Sequence, residues 1–165
     1  MTRRAIRFAV AAAIIPACAL AQTASQQQGP RGPASSALNY VPGVGDMMNM
    51  LVQPRHARLG LAINAHNWPL AIFTLRQMEQ ALATVGTVQP KYRNLTVSEM
   101  VASMTGDAMR DLDTAINARD AKKATAAFSD LTDGCNSCHT ALDRGEVVIK
   151  APEASSFPNQ EFKAP

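Results

Sequence analysis

Apolar residues recur at helical spacing in four separate stretches of this chain, and no stretch alternates apolar and polar residues as a strand does. The first stretch, helix A, is predicted from about Gly45 to Asn64. It has two adjacent apolar stripes, one of Met48, Val52, His56, Leu59 and Ile63, and one of Met47, Met50, Ala57 and Leu61. Pro54 lies inside this helix and cannot donate a hydrogen bond to the carbonyl of Met50. The pattern therefore predicts a kink or an early break there.

The next two stretches carry recognisable start signals. Helix B follows Asn67, a good N-cap, with Pro69 in the first turn, and Gly86 is predicted to end it. Helix C opens with a capping box formed by Thr96 and Glu99. The core-facing stripes are Ala71, Leu75, Met78, Leu82 and Val85 in helix B, and Val97, Val101, Met104, Ala108, Leu112 and Ala115 in helix C.

The fourth stretch, helix D, is predicted to be capped by Asp120 and to stop at Gly145. Its stripe consists of Ala124, Phe128, Leu131, Cys135, Cys138 and Leu142. Four amphipathic helices with short connections predict an all-α fold, an antiparallel four-helix bundle over residues 43–149. Aromatic residues make up only 5% of the chain. A core built mainly of alanine and methionine leaves room for a bound group.

The N-terminus has the pattern of a secretory signal peptide. Three arginines precede a short apolar run, Phe8 to Leu20, and a small-x-small sequence ends at Ala21. The run is too short to cross a bilayer, so we expect residues 1–21 to be cleaved off after Ala21 and the protein to be periplasmic. Lipidation of Cys18 is the alternative, and Pro16 fits poorly with it.

Removal of the signal peptide changes the charge balance of the protein. The full chain has 16 basic and 13 acidic residues, and the loss of three arginines leaves 13 of each. No basic surface remains to suggest nucleic acid as a partner. Residues 22–42, rich in Gln, Ser, Gly and Pro, are predicted to form a flexible lead-in. Residues 150–165 are predicted to form an irregular tail in which Phe157 and Phe162 dock on the bundle.

The mature chain keeps two cysteines, and both lie in the sequence DGCNSCHT. On a helix, Cys135 and Cys138 project from one face, and His139 lies one turn above Cys135. Cys-x-x-Cys-His is the attachment pattern for haem c, in which each thiol forms a thioether and the histidine binds the iron. Export of the chain agrees with this chemistry, because bacteria attach haem c after secretion. The sequence therefore predicts one covalently bound haem c.

Two other uses of the cysteine pair fit less well. A thioredoxin-like disulfide needs the pair at a helix N-terminus, where the pKa of the first thiol is lowered, and here the pair lies well inside a helix. A structural zinc ion needs four ligands, and only His56 and His66 remain as distant candidates.

With these residues the chain resembles the exported c-type cytochromes of the cytochrome c′-like, four-helix-bundle kind, which carry Cys-x-x-Cys-His in the last helix. It also resembles a poorly characterised set of small bacterial haem-motif proteins with stretches like RHARL, NWPLA, LTDGCNSCH and FPNQEF. The resemblance covers most of residues 44–162 and implies one haem on a periplasmic bundle, with electron transfer or small-ligand binding as the function. Such bundles often pair through helices A and B, so a homodimer is compatible with it, although no exposed stripe marks one.

The sixth iron ligand separates those two functions. In low-spin relatives a methionine of the first helix closes the iron, whereas in cytochrome c′ that side is open. Here Met47, Met48 and Met50 are the candidates, with Met50 favoured because Pro54 distorts its turn, and His56 is a further candidate. At most one of the four can be the ligand, and ordinary core packing is the alternative for each.

The haem propionates need basic partners, for which Arg55 and Arg58 are the sequence candidates. The sequence departs from cytochrome c′ at Pro54, which interrupts helix A. It departs again at Asp133 and Gly134, where a basic residue would suit a propionate.

Three functions are compatible with these features. The first is a mono-haem electron carrier without catalytic side chains, which serves a redox partner protein in the periplasm. The second is a gas-binding or sensory haem protein with an open iron. The third is a haem subunit that docks onto a larger exported dehydrogenase through its proline-rich tail.

Overall fold

The computed structural model describes residues 40–164, so the predicted signal peptide and most of the lead-in lie outside the described chain. The described part is mostly helical, as predicted. Its elements in chain order are α1 (Val44–Met47), a π-helical segment (Met48–Val52), α2 (Gln53–Asn64), α3 (Trp68–Val88), β1 (Lys91–Tyr92), β2 (Leu95–Thr96), α4 (Val97–Asn117) and α5 (Ala121–Ala141). The sequence predicts no strand, but β1 and β2 form a small antiparallel hairpin that is too short to leave an alternating pattern. None of the described helices is both long and apolar enough to cross a membrane.

Predicted helix A corresponds to α1, the π-helical segment and α2, which follow one another without a break. The expected distortion at Pro54 takes the form of the π-helical segment, in which the Gln53 N–H bonds to the carbonyl of Met48 five residues earlier. Pro54 itself lies in the first turn of α2, directly after the π-helical segment. A π turn adds a residue to the helix and rotates the part before it. Met47 is accordingly buried, whereas Met50 is 56% exposed.

Two of the three predicted N-caps are confirmed. The side chain of Asn67 accepts a hydrogen bond from the Leu70 N–H at 3.2 Å, and that of Asp120 accepts one from the Lys123 N–H at 3.0 Å. The predicted capping box at Thr96 is wrong, because the Thr96 side chain makes no bond to the first turn of α4. Its hydroxyl accepts a hydrogen bond from Lys91 Nζ at 2.6 Å instead, which ties the two strands of the hairpin together.

The helices end differently from the prediction. Gly86 does not stop α3, which runs on to Val88 and ends just before Pro90 restricts the backbone of residue 89. A Cβ on Gly86 would lie 3.2 Å from the Cβ of Ser98, so this glycine serves the close contact with α4. Gly145 does not stop α5 either, since that helix ends at Ala141.

Helices α2, α4 and α5 instead end on non-glycine residues in the left-handed conformation. These are His66, Arg119 and Asp143, with φ of 53°, 55° and 53°. In each case the N–H of the following residue bonds to the carbonyl five residues earlier, at 2.9, 2.9 and 2.8 Å respectively. This is the Schellman geometry that usually selects glycine. The sequence signal for these helix ends is therefore absent.

The helices pack on one another around a shared core, and the most extensive contact joins α4 to α5. Gly134 makes that contact possible, because a Cβ at this position would lie 2.2 Å from the carbonyl oxygen of Met104. Contacts also join α3 to α4, α2 to α3 and α2 to α5. The largest fully buried side chains are Met47, Leu59, Ile63, Leu75, Met78, Leu112, Ile116 and Leu131.

Residues 150–164 contain no helix or strand and contact α2 and Asn67, the N-cap of α3. Pro152 packs on Gly60, where a Cβ would come within 2.8 Å of its ring. The ring of Phe157 contacts the bundle, as predicted, whereas Phe162 contacts it through its backbone carbonyl. The guanidinium of Arg58 lies 4.9 Å from the ring centroid of Phe157, and the Phe162 carbonyl accepts a hydrogen bond from Asn67 Nδ2 at 3.0 Å.

Candidate functional site

A cavity of about 210 Å³ lies between α1 with the π-helical segment, α4 and the end of α5. A single water needs only about 10–15 Å³ of such space, so the cavity is large enough for a small-molecule ligand. The chain after α5 closes one side of it. Most of its lining is apolar, from Val44, Met48, Val52, Leu82, Val101, Met104, Leu142, Val147 and Ile149.

Cys135, Cys138 and His139 all line this cavity. Helix α5 presents both cysteines from one face, and both are free thiols. Burial raises the pKa of Cys135 to about 11 and also raises the pKa of Cys138. A redox-active pair needs a lowered pKa, so these thiols do not have the properties of a thioredoxin-like site.

His139 is held in one orientation by the chain that follows its helix. Its Nδ1 lies 2.7 Å from the carbonyl oxygen of Val147. A carbonyl can only accept, so Nδ1 carries a proton, and in the neutral ring Nε2 is the nitrogen that has the free lone pair. Histidines that bind metals commonly have this arrangement, with the second ring nitrogen bonded to a backbone carbonyl.

The four sequence candidates for a sixth ligand lie in different environments. Met48 and His56 line the cavity. Met47 is buried in the core, and Met50, favoured on sequence grounds, is on the exposed side of the first helix; neither is part of the cavity lining. Met104 of α4 lines the cavity as well, although its sequence position indicates only a core residue.

His56 is buried and neutral. Its Nε2 lies 2.9 Å from the hydroxyl oxygen of Thr132, and that hydroxyl donates its own proton to the carbonyl of Phe128 at 2.8 Å. The His56 Nε2–H must therefore be the donor. Burial lowers the pKa of His56 to about 4. The nitrogen through which histidine most often binds iron is thus engaged in a hydrogen bond.

The arginines predicted to bind propionates lie elsewhere. Arg55 donates to the carbonyl of Leu51 at 2.6 Å, and Arg58 lies over Phe157; neither lines the cavity. The basic and phenolic groups at its mouth are Arg144 and Tyr92, which are joined by a hydrogen bond of 3.2 Å. Sequence reasoning did not identify either residue. The signal for Arg144 was its place directly after the last helix, five residues from His139.

Within residues 40–164, no three side chains of His, Cys, Asp or Glu come together as a metal-binding group. Cys135, Cys138 and His139 share one helix face, and the rest of the cavity lining around them is mostly apolar. Comparisons with protein-family models, with curated proteins and with solved structures find no match for this chain.

Proposed function

We propose that this protein is an exported mono-haem cytochrome c, an antiparallel four-helix bundle that carries single electrons in the periplasm. The observation that carries the proposal is the meeting of Cys135, Cys138 and His139 in one apolar cavity, with the Nε2 lone pair of His139 unoccupied. The haem iron would supply the redox chemistry by alternating between the ferric and ferrous states.

Cys135 and Cys138 would hold the group covalently, each as a thioether formed by addition of its S–H to a vinyl group. This addition requires reduced thiols, and both cysteines are free.

His139 would bind the iron from the side of α5. The hydrogen bond from its Nδ1 to Val147 fixes the ring and increases the basicity of Nε2. Met48 is our choice for a second protein ligand to the iron, because its side chain lines the cavity while Nε2 of His56 is engaged by Thr132. A methionine together with a histidine would keep the coordination closed in both oxidation states, as an electron carrier requires.

Arg144 and Tyr92 would receive the propionates. Both line the mouth of the cavity, and their mutual hydrogen bond places a cation and a hydroxyl donor side by side. The apolar remainder of the lining would exclude water from the porphyrin faces.

Covalent attachment is tested by the mass of the mature protein from a host that matures cytochromes c. We expect the mass of the polypeptide from Gln22 onward plus one haem, together with a Soret band. Replacement of Cys135 and Cys138 by alanine should abolish both, whereas Cys18→Ala, in the signal peptide, should leave both unchanged. A wild-type protein with the mass of its amino acids alone would refute the proposal.

A gas-binding haem protein is the second candidate. Two observations favour it. Thr132 engages Nε2 of His56, which is thereby not available to bind the iron. Leu82 and Val101 add apolar surface to the same cavity. Carbon monoxide separates the two functions. An unchanged ferrous spectrum supports the electron carrier, and rapid formation of a carbonyl complex supports the gas binder.

A further inference from the structure

Asn136, between the two cysteines, makes a pair of hydrogen bonds with a single residue far along the chain. Its Nδ2 donates to the carbonyl of Ile149 at 2.9 Å, and its Oδ1 accepts from the N–H of Ile149 at 2.8 Å. One side-chain amide thus satisfies both backbone groups of Ile149, as a neighbouring strand would. The bonds are partly buried, which protects them from competition with water.

The segment fixed by this contact is the strap, residues 144–149, which folds back along the end of α5. The reversal begins at Asp143 in the left-handed conformation, and the Arg144 N–H bonds to the His139 carbonyl at 2.8 Å. Val147 then presents its carbonyl to His139 Nδ1. Val147 is itself 46% exposed, so its own packing does little to hold it there.

The strap also forms one wall of the cavity, through Arg144, Val147 and Ile149. It is therefore anchored at its start by the helix end and at its far end by Asn136, with the acceptor for His139 between the two anchors. Loss of the far anchor would free Val147 without touching the cysteines or the histidine.

We propose that Asn136 is a positioning residue that latches the strap, so that the Val147 carbonyl keeps His139 oriented and the strap closes the cavity. The role toward the iron depends on the proposed function, whereas the latch itself does not. The first of the two variable positions in the Cys-x-x-Cys-His motif would thus carry a specific structural task in this chain.

The latch is tested by amide hydrogen exchange of Ile149 in the full mature protein. Asn136→Ala removes both hydrogen bonds, and we expect the Ile149 amide to exchange at least about tenfold faster. Asn136→Asp places a carboxylate oxygen against the Ile149 carbonyl in place of the donor, and the two acceptors repel, so the amide should also exchange faster. Ser137→Ala, at the exposed second variable position, should leave the rate unchanged. If Asn136→Ala does not fold, the exchange rate of the Ile149 amide in Asn136→Asp, compared with that in Ser137→Ala, decides whether the latch exists.

A second readout reports on His139 itself. In the ferrous diamagnetic protein, with carbon monoxide added if the iron is otherwise high-spin, the His139 Nδ1 proton should give a protected NMR signal. Its exchange with solvent should accelerate about tenfold in Asn136→Ala and remain unchanged in Ser137→Ala. A faster Ile149 amide with an unchanged His139 proton would refute the positioning role, and no change in either would refute the latch.

These results are separable from the proposed function. A wild-type protein without covalent haem would refute the cytochrome assignment, but the Ile149 amide can still be followed in the haem-free chain. Conversely, a haem-loaded Asn136→Ala protein with wild-type exchange rates would refute the latch and leave the cytochrome assignment intact.

Discussion

Gly134 offers the sharpest test of the packing that builds the cavity. In Gly134→Ala the new Cβ would lie 2.2 Å from the carbonyl oxygen of Met104, more than about 1 Å short of the 3.4 Å at which ordinary contact begins. The atom it meets belongs to the backbone of α4, so no side-chain rotation can relieve the clash. The two helices must move apart, and the contact between α4 and α5 is the most extensive in the described chain.

The expected magnitude combines two opposing effects. Overpacking of this kind costs about 1–3 kcal/mol, and a clash with backbone belongs at the upper end of that range. Alanine in place of glycine inside a helix stabilises the folded state by about 1 kcal/mol. The net loss in the free energy of unfolding should be about 2 kcal/mol, or roughly 8 °C in Tm for a domain of this size.

Gly106→Ala in α4 is the matched control. A Cβ there would meet only the end of the Arg110 side chain, at 3.5 Å, so the helix preference of alanine should act alone. We expect a gain of up to about 1 kcal/mol, or roughly 4 °C in Tm.

Thermal unfolding followed by far-UV circular dichroism measures both variants against the wild type. All three proteins must be in the same haem state, because a bound group stabilises the folded form by itself. If Gly134→Ala melts at or above the wild-type temperature while Gly106→Ala gains stability, the close crossing of α4 and α5 at Met104 does not exist.

Three further predictions concern the iron ligand, a buried histidine and a helix end. In the haem-loaded protein, Met48→Ala should convert low-spin ferrous iron to a form that binds carbon monoxide, whereas Met50→Ala should leave the optical spectrum unchanged. The opposite result would identify Met50 as the iron ligand. Folding lowers the pKa of His56 from 6.5 to about 4, so the unfolded chain binds more protons than the folded chain between these pH values. The free energy of unfolding should therefore drop by about 3 kcal/mol as the pH falls from 6.5 to 4. Denaturant titrations over this range should show the drop in the wild type and lose most of it in His56→Gln; an equal drop in both would assign it to other groups. Arg119→Gly should raise the free energy of unfolding by about 0.5–1 kcal/mol, because Arg119 is exposed and has a left-handed backbone; calorimetry that shows a lower Tm would contradict this geometry.

Much of the helical framework could be predicted, because the determinants are local. The apolar period identified four helical stretches, and the Asn67 and Asp120 caps confirm the start of two of them. The helix ends were harder to predict, since His66, Arg119 and Asp143 occupy positions where glycine is the usual signal. Two glycines also have a role in tertiary contacts that the sequence does not reveal. Gly86 and Gly134 permit close approach between helices rather than termination or ligand binding.

The motif predicted the centre of the candidate site, but not its periphery. Cys135, Cys138 and His139 share one face because their spacing requires it on any helix. Met48, Val52 and His56 line the cavity together, as their shared stripe predicts. Met47 and Met50 also share a predicted stripe, but Met47 is buried and Met50 is exposed, because the π-helical segment between Met48 and Val52 changes the phase of the helix. Arg144 reaches the cavity through a chain reversal, and such reversals depend on contacts between residues distant in sequence.

The strap has a consequence for the timing of biogenesis. It follows the cysteines in the sequence, so it can cover the pocket only after it has been synthesised and has folded back along the end of α5. If the proposed haem is attached, a maturation enzyme would therefore meet an open trough before it meets a finished domain. Early closure of the strap would compete with delivery of the haem, so late closure would favour efficient loading.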